Sequence, residues 1–337
     1  MISDMAEYLI SIIIPFFNCE WKLLKICLES IDIQLESDIE VIIIDDGSNI
    51  IKTYDECKQF LKGKNNYRVF RNRHNKGVSF ARNYGIENSN GRYILFVDAD
   101  DFVEPKIISR LKSIIEKYNV DTVFFEYSKY DGKNKKKVFR NIRPSDCMTF
   151  GQKMAERMIA GSEFNSPCTI LYKRSIIINN KVFFDEGLKL GEDFKFNYQY
   201  FKEYKYGFYI QESLYNYRYQ LGSATNSFSI KKISDSGEGF YIRNDLLKTF
   251  FSGDEEKFEA HIKNYYHVVL SHVVNAILEK QSKYIIMNCL ELPWVRDLLV
   301  SEVRGWKYRI LKLIYVKKIY FPLVILAKVK QIKDFFL

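Results

Sequence analysis

Histidine is scarce in this 337-residue chain. His74, His261, His267 and His272 are the only four, and none groups with cysteine at the spacing of a zinc site. The six cysteines (Cys19, Cys27, Cys57, Cys147, Cys168 and Cys289) form no close pair, which argues against a disulfide framework and suits a reducing compartment. Long apolar runs are absent as well. Ile10 to Phe17 extends for about eight residues, and Ile319 to Ala327, interrupted by Pro322, for about nine. Both fall well short of the roughly 20 residues a membrane-spanning helix needs. Met1 to Tyr8 holds Asp4 and Glu7 and no basic lead, so no export signal is read there and a cytoplasmic location is expected. No repeat and no low-complexity segment occurs.

The net charge of +9 invites a nucleic-acid reading, but its distribution excludes one. Trp294 to Leu337 contains ten Lys or Arg against three acids, and the rest of the chain holds 41 basic against 39 acidic residues. The body is therefore almost neutral and the basicity belongs to the tail. Aromatic residues are abundant (24 Tyr, 26 Phe); most are expected in the core, with some free to line a ligand groove.

Apolar runs of strand length alternate with helical spacing. Ile10 to Pro15, Glu40 to Asp45, Tyr67 to Arg71 and Arg92 to Val97 read as strands, and Trp21 to Leu35, Thr53 to Leu61 and Val78 to Ser89 as helices. The expected fold class is α/β: a Rossmann-like domain with a mixed, mostly parallel sheet covered on both faces. Asp121 to Tyr127 and Thr169 to Lys173 are further strands, and Lys129 to Arg143 is an exposed turn or hairpin. Thr149 to Gly161 and the stretch from Gly191 are helical, as is everything beyond Ser236. The expected organisation is a catalytic domain over 1–235, a helical extension over 236–293, and a basic amphipathic tail over 294–337.

In such sheets ligands bind at the carboxyl ends of the strands. Those ends carry Asn18, then Asp45 and Asp46, then Asp98 and Asp100. Carboxylates two residues apart at a strand end project to one side and can hold a hard divalent cation that bridges nucleotide phosphates. An Asp-x-Asp triplet alone is more often a solvated turn; the apolar run Tyr93 to Val97 ahead of it strengthens the metal reading. Asp45-Asp46-Gly47-Ser48 can be a plain turn, or it can offer a carboxylate to a base N–H beside a stacking surface from Phe17.

Ile12-Ile-Ile-Pro-Phe-Phe-Asn18, Val41-Ile-Ile-Ile-Asp-Asp-Gly-Ser48, Asn75-Lys-Gly77 with Ala81-Arg-Asn83, Gly91-Arg-Tyr-Ile-Leu-Phe-Val-Asp-Ala-Asp-Asp101, Gly191-Glu-Asp193, and Leu214-Tyr-Asn-Tyr-Arg218 followed by Gly222-Ser-Ala-Thr225 occur in this order. Together they resemble the bacterial inverting glycosyltransferases of family 2, which have the A-type nucleotide-sugar-binding fold (GT-A), over about residues 8 to 226. The resemblance implies nucleotide-sugar contacts from Pro15, Phe17, Asn18, Asp46, Arg82 and Asp98. Phe17 lies against the base, Asp46 bonds its ring nitrogen and Arg82 faces the diphosphate. It implies Mn2+ or Mg2+ on Asp100 and Asp98, and Asp193 as catalytic base with Glu192 beside it. Phe17 departs from the frequent Tyr, which keeps the stacking and removes a phenolic hydrogen bond.

An acceptor hydroxyl needs a positioned base, and a single displacement inverts the anomeric carbon. The helix start at Asp193 favours its ionised form, which makes it a weak base. The expected donor is a UDP-sugar and the acceptor a glycan or lipid-linked hydroxyl in surface-polysaccharide synthesis such as capsule. His74, next to Asn75-Lys-Gly77, could line the site, whereas His267 and His272 read as packing or surface residues. In the tail, Leu299, Val303, Trp306, Ile310 and Leu313 fall on one helix face, with Arg296, Arg304, Lys307 and Lys312 on others. That pattern suits peripheral contact with an anionic inner membrane surface, or packing on the catalytic domain or a partner copy, so a homo-oligomer stays open. A nucleotidyltransferase is the first alternative, but Phe16-Phe-Asn-Cys-Glu20 lacks its glycine-rich basic loop. A non-catalytic sugar or polyanion binder is the second, and the presence of all three acids counts against it.

Overall fold

Burial explains three of the first four strands. Ile10 and Ile12 to Ile14, Ile39 and Val41 to Ile44, and Tyr93 to Val97 are at most 1% exposed, so these runs are covered on both faces. The computed structural model describes residues 7–138, 148–149, 153–154, 157, 165–188, 191–218, 229–301, 312 and 316. The chain separates into two compact units: 1–154 with 162–187 and 192–221, and 155–161 with 188–191 and 222–337.

The first unit is built on one mixed sheet. Its strands are β1 (Tyr8–Phe16), β2 (Ile39–Asp45), β3 (Tyr67–Arg71), β4 (Gly91–Phe96), β5 (Phe102–Val103), β6 (Thr122–Tyr130), β7 (Lys135–Val138), β8 (Met148–Thr149), β9 (Ile170–Lys173) and β10 (Gly207–Arg218). The order is β3-β2-β1-β4-β9-β6-β10-β5, with β7 on β6 and β8 on β10. From β3 to β4 every pairing is parallel; β9 then runs antiparallel to both β4 and β6, and β10 returns parallel to β6. Helices α1 (Trp21–Asp32), α2 (Ile51–Phe60) and α3 (Val78–Glu87) connect the parallel strands, and α4 (Ile107–Tyr118), α5 (Arg174–Asn179) and α6 (Glu192–Glu203) follow. α1 buries Leu24, Cys27, Leu28 and Ile31, the three- and four-residue spacing that the sequence shows.

The aromatic residues go chiefly to the core. Phe96, Tyr172, Phe184 and Phe196 pack edge-on or stacked with centroids 4.0–6.0 Å apart, and Phe124, Tyr200 and Phe201 continue the cluster. The hairpin expected from Lys129 onward is present as β6 and β7 through Val138. β10, a 12-residue strand, had no counterpart in the hydrophobic pattern. Most of the helix expected over Thr149 to Gly161 lies outside the described residues.

The second unit is helical: α7 (Ile230–Phe250), α8 (Glu255–Leu278), α9 (Lys283–Leu290) and α10 (Pro293–Val300). Trp294, Val295, Leu298 and Leu299 are at most 3% exposed and fill its core with Phe240, Tyr265 and Ile286. The indole N–H of Trp294 donates to the Ile233 carbonyl at 2.9 Å. The first residues of the basic tail are thus core residues here; beyond Ser301 only Lys312 and Val316 are described. Among the described residues no helix is long and apolar enough to cross a membrane.

Gly237, inside α7, is what lets Trp294 in. A Cβ at this position would stand 2.4 Å from Trp294 Cδ1. In an open helix Gly→Ala stabilises by about 1 kcal/mol. Here the bulky ring cannot swing clear, so Gly237→Ala is expected to destabilise by about 1–2 kcal/mol and Trp294→Ala by about 3–5 kcal/mol, measured by urea unfolding. A truncation that keeps the helical unit intact must begin after Ser301.

Candidate active site

The carboxyl ends of β1 and β4 open on a cavity of about 490 Å3 lined by Pro15, Phe17, Asn18, Cys19, Val78, Arg82, Asp98 and Asp100, among others. Phe17 is 42% exposed, a free ring face at the rim. Asn18 takes a left-handed conformation (φ 49°) and ties two loops together. Its N–H donates to Ser48 Oγ at 2.8 Å, and its Oδ1 accepts from Asn49 N–H at 2.8 Å.

Arg82, carried on α3 and only 4% exposed, joins the two carboxylates expected to do the chemistry. One terminal nitrogen donates to Asp193 Oδ1 at 2.7 Å and the other to Asp98 Oδ1 at 3.0 Å. Its guanidinium also lies over the Phe184 ring, 5.2 Å from the centroid. A planar fork reaches two acids from separate nitrogens, where a lysine would have to reach both from one. The sequence reading pointed Arg82 at a diphosphate, whereas the structure shows it bridging residues 98 and 193 while still lining the cavity.

Asp193 sits in the first turn of α6. Burial pushes its carboxyl up to about 7, against the opposing pull of Arg82, with Glu192 and Asp98 adding to the rise. Burial is thus the largest influence on this carboxyl, set against its ion pair with Arg82. Asp98 is 36% exposed on its side chain. Burial, then the charge of Asp98, pushes the Asp100 carboxyl up. Two oxygen donors that repel each other at a cavity wall fit a hard divalent cation, whose charge relieves the repulsion. Among the described residues no third His, Cys, Asp or Glu joins them, so phosphate oxygens and water would complete the coordination.

Asp46 is placed differently. It is 2% exposed and is not among the cavity-lining residues. Its oxygens accept Asn72 Nδ2 (2.8 Å), Lys76 N–H (3.2 and 3.1 Å) and Gly77 N–H (2.7 Å). Four contacts fill the roughly four acceptor directions of a carboxylate. Asp46 pins the Asn72–Gly77 loop, and a base N–H would have to displace one of these bonds. Gly47 (φ 71°) completes the arrangement, since a Cβ there would meet the backbone of His74 at 2.5 Å and of Asn75 at 2.8 Å. Gly47→Ala is expected to destabilise by about 2–4 kcal/mol in urea unfolding, from left-handed strain plus backbone overlap. The His74 side chain is exposed.

Asp101 and β10 were not foreseen as site residues. Asp101 is 1% exposed and accepts Tyr215 O–H at 2.5 Å and Arg218 N–H at 2.7 Å. Burial and Asp98 push its carboxyl up to about 8, with these two donors opposing. Tyr215 O also accepts Asp98 N–H at 3.2 Å, and Arg218 Nε donates to the Asp100 carbonyl at 2.8 Å. The end of β10 therefore clamps the Asp98–Asp101 turn. The signal was the third acid after Asp98-Ala99-Asp100, together with the Tyr-Asn-Tyr-Arg run. Asn83 similarly holds the Phe184–Glu186 segment through the Phe184 backbone and Glu186 Oε1.

Known proteins share this fold. TarS of S. aureus in complex with UDP-GlcNAc superimposes with a TM-score of 0.63 at 20% identity, over 86% of this chain and 80% of that one. The shared architecture is the A-type glycosyltransferase fold. The glycosyltransferase GlyG of Streptococcus pneumoniae is 31% identical over 65% of this chain and 73% of its own length. The uncharacterized glycosyltransferase EpsJ of Bacillus subtilis is 30% identical over 64% of this chain, and the match spans 63% of EpsJ, under two thirds of it. The sequence model of glycosyl transferase family 2 matches residues 11–180, half of the chain and the part that carries β1 to β9, Arg82 and the acid turn. On that match the chain belongs to glycosyl transferase family 2.

Proposed function

We propose that this glycosyltransferase moves a sugar from a UDP-sugar to a hydroxyl of a glycan or lipid-linked acceptor in cell-surface polymer synthesis, with inversion at the anomeric carbon. The observation that carries this reading is Arg82, which lines the cavity and donates to both Asp98 and Asp193. Phe17 offers a face to the base, and Pro15 and Asn18 shape the same end of the cavity. Asp46 contributes by fixing the loop beside them. Asp193 takes the acceptor proton as the new bond forms. Mn2+ or Mg2+ bound between Asp98 and Asp100 would neutralise charge on the departing diphosphate. Arg82 offsets the repulsion between the two acids and ties Asp193 to the cavity-lining Asp98. UDP is favoured by the UDP-GlcNAc held in the TarS structure.

The test is a transfer and hydrolysis screen of UDP-, GDP- and dTDP-sugars with Mn2+ or Mg2+. Turnover of a UDP-sugar that stops with EDTA and returns with metal is the expected result; no turnover of any nucleotide sugar would sink the reading. For the tail, we propose contact with an anionic membrane surface through the nine basic residues beyond Ser301. Vesicle flotation of the chain ending at Ser301 decides that part, since unchanged binding defeats it.

A further inference from the structure

Beyond the acid turn the sheet carries a row of side chains that neither stability nor the donor cavity accounts for. β10, β6 and β7 are neighbours, and their register sets Tyr217 beside Lys129 and Lys129 opposite Lys136. Tyr217 is two residues from Tyr215 and shares its face; Tyr215 is the residue whose hydroxyl meets Asp101 and Asp98 N–H. The row begins at the acid turn and runs outward for about 10 Å, two strand spacings. Lys129 and Lys136 are exposed, and Tyr217 is 38% exposed.

Like charges directly opposite each other across an antiparallel pair repel. Neither Lys129 nor Lys136 has an acid partner among the described residues, whereas Lys135 pairs with Glu104 at 2.8 Å. Lys133 and Lys137 are exposed and extend the positive field. The only acid within residues 129–137 is Asp131, and its carboxylate accepts the N–H groups of Lys133 and Asn134 inside the turn. Lysines on an edge strand deter wrong pairing, and Lys135 to Lys137 would serve that purpose alone. A second lysine in register with Lys136, next to an exposed ring, adds repulsion without adding to that protection. Two ammonium groups beside an aromatic face are the donors that phosphate oxygens and a sugar ring call for.

We propose that the row Tyr217, Lys129 and Lys136 is an acceptor subsite, and that the acceptor is an anionic glycan bearing phosphodiester groups; this rests on the transferase reading above. The donor cavity is walled by β1, α1, α3 and the end of β4, on one side of the acid turn. The row occupies the other side, where the acceptor hydroxyl must arrive. Tyr217 stacks on a sugar ring, and the two lysines hold flanking phosphates.

The experiment uses the full chain and the double variant Lys129→Ala/Lys136→Ala. Calorimetric titration with a poly(glycerol phosphate) oligomer is compared with maltohexaose and with phosphatidylglycerol vesicles. Wild type is expected to bind the oligomer with an affinity that falls with salt, and the variant about tenfold more weakly. Its melting temperature should be equal or higher, because a repulsion has been removed, and its vesicle binding should be unaltered. Equal oligomer binding by both proteins, no binding by wild type, or a loss confined to vesicles overturns the proposal. Nucleotide-sugar turnover by wild type is read separately: its absence defeats the transferase reading, while oligomer binding decides the subsite.

Discussion

Replacing Asp193 by asparagine is expected to lower kcat by about 10³-fold while the donor KM stays within a few-fold. A positioned base contributes about 10²–10⁴ in rate, and asparagine keeps the shape and the contact with Arg82 but cannot take a proton. The pH profile gives an independent reading. Burial holds the Asp193 carboxyl near 7, and the base must be unprotonated to act. In wild type kcat/KM should therefore rise with pH through about 7, level off above it and fall about tenfold per unit below. In the variant that acid limb should vanish. A variant that keeps the wild-type rate, or keeps the limb, would remove Asp193 from the chemistry.

Arg82→Ala should affect stability and activity together. Removing one partner of a buried ion pair costs about 3–5 kcal/mol. Asp98 and Asp193 retain 36% and 27% side-chain exposure and can draw in water, so a loss of about 2–4 kcal/mol in urea unfolding is expected. Arg82 pulls the Asp193 carboxyl down, so without it the acid limb of the rate profile should move to higher pH. Arg82→Lys should recover part of the stability and little of the rate, because both acids would have to draw in to a single nitrogen in place of the spread fork. Full recovery of activity by lysine would show that Arg82 acts only as a charge.

The parallel half of the sheet was legible because its strands are apolar throughout and the helices between them keep their spacing. Ile10 to Ile14 and Val41 to Ile44 have no competing reading of that length. β10 was not legible: Gln211, Glu212 and Ser213 interrupt its alternation, and its register against β6 shifts on either side of Ser213. Only the partner strand, some 85 residues earlier in the chain, makes it a strand. The same distinction holds in the site. Asp98, Asp100 and Asp193 announce themselves by neighbouring residues, as motifs do. The bridge from Arg82 to Asp193 spans 111 positions and exists only after folding. Asp46 was recognised by motif, but its hold on the Asn72–Gly77 loop was not legible, because two of its three donors are backbone groups, which any sequence would supply. Trp294 was read only as the start of the basic tail, and the contact that buries it depends on the missing side chain of Gly237.

Asp46 and Gly47 also set the terms on which this enzyme can be recombined with its relatives. The carboxylate of Asp46 ties Asn72, Lys76 and Gly77 to the end of β2, and Gly47 leaves room for the backbone of His74 and Asn75. Residues 46–47 and 72–77 are therefore one structural unit drawn from two places in the chain. A chimaera that exchanges the 72–77 loop keeps the backbone donors and gives up only the Asn72 amide, while one that brings a side chain to position 47 meets the loop backbone.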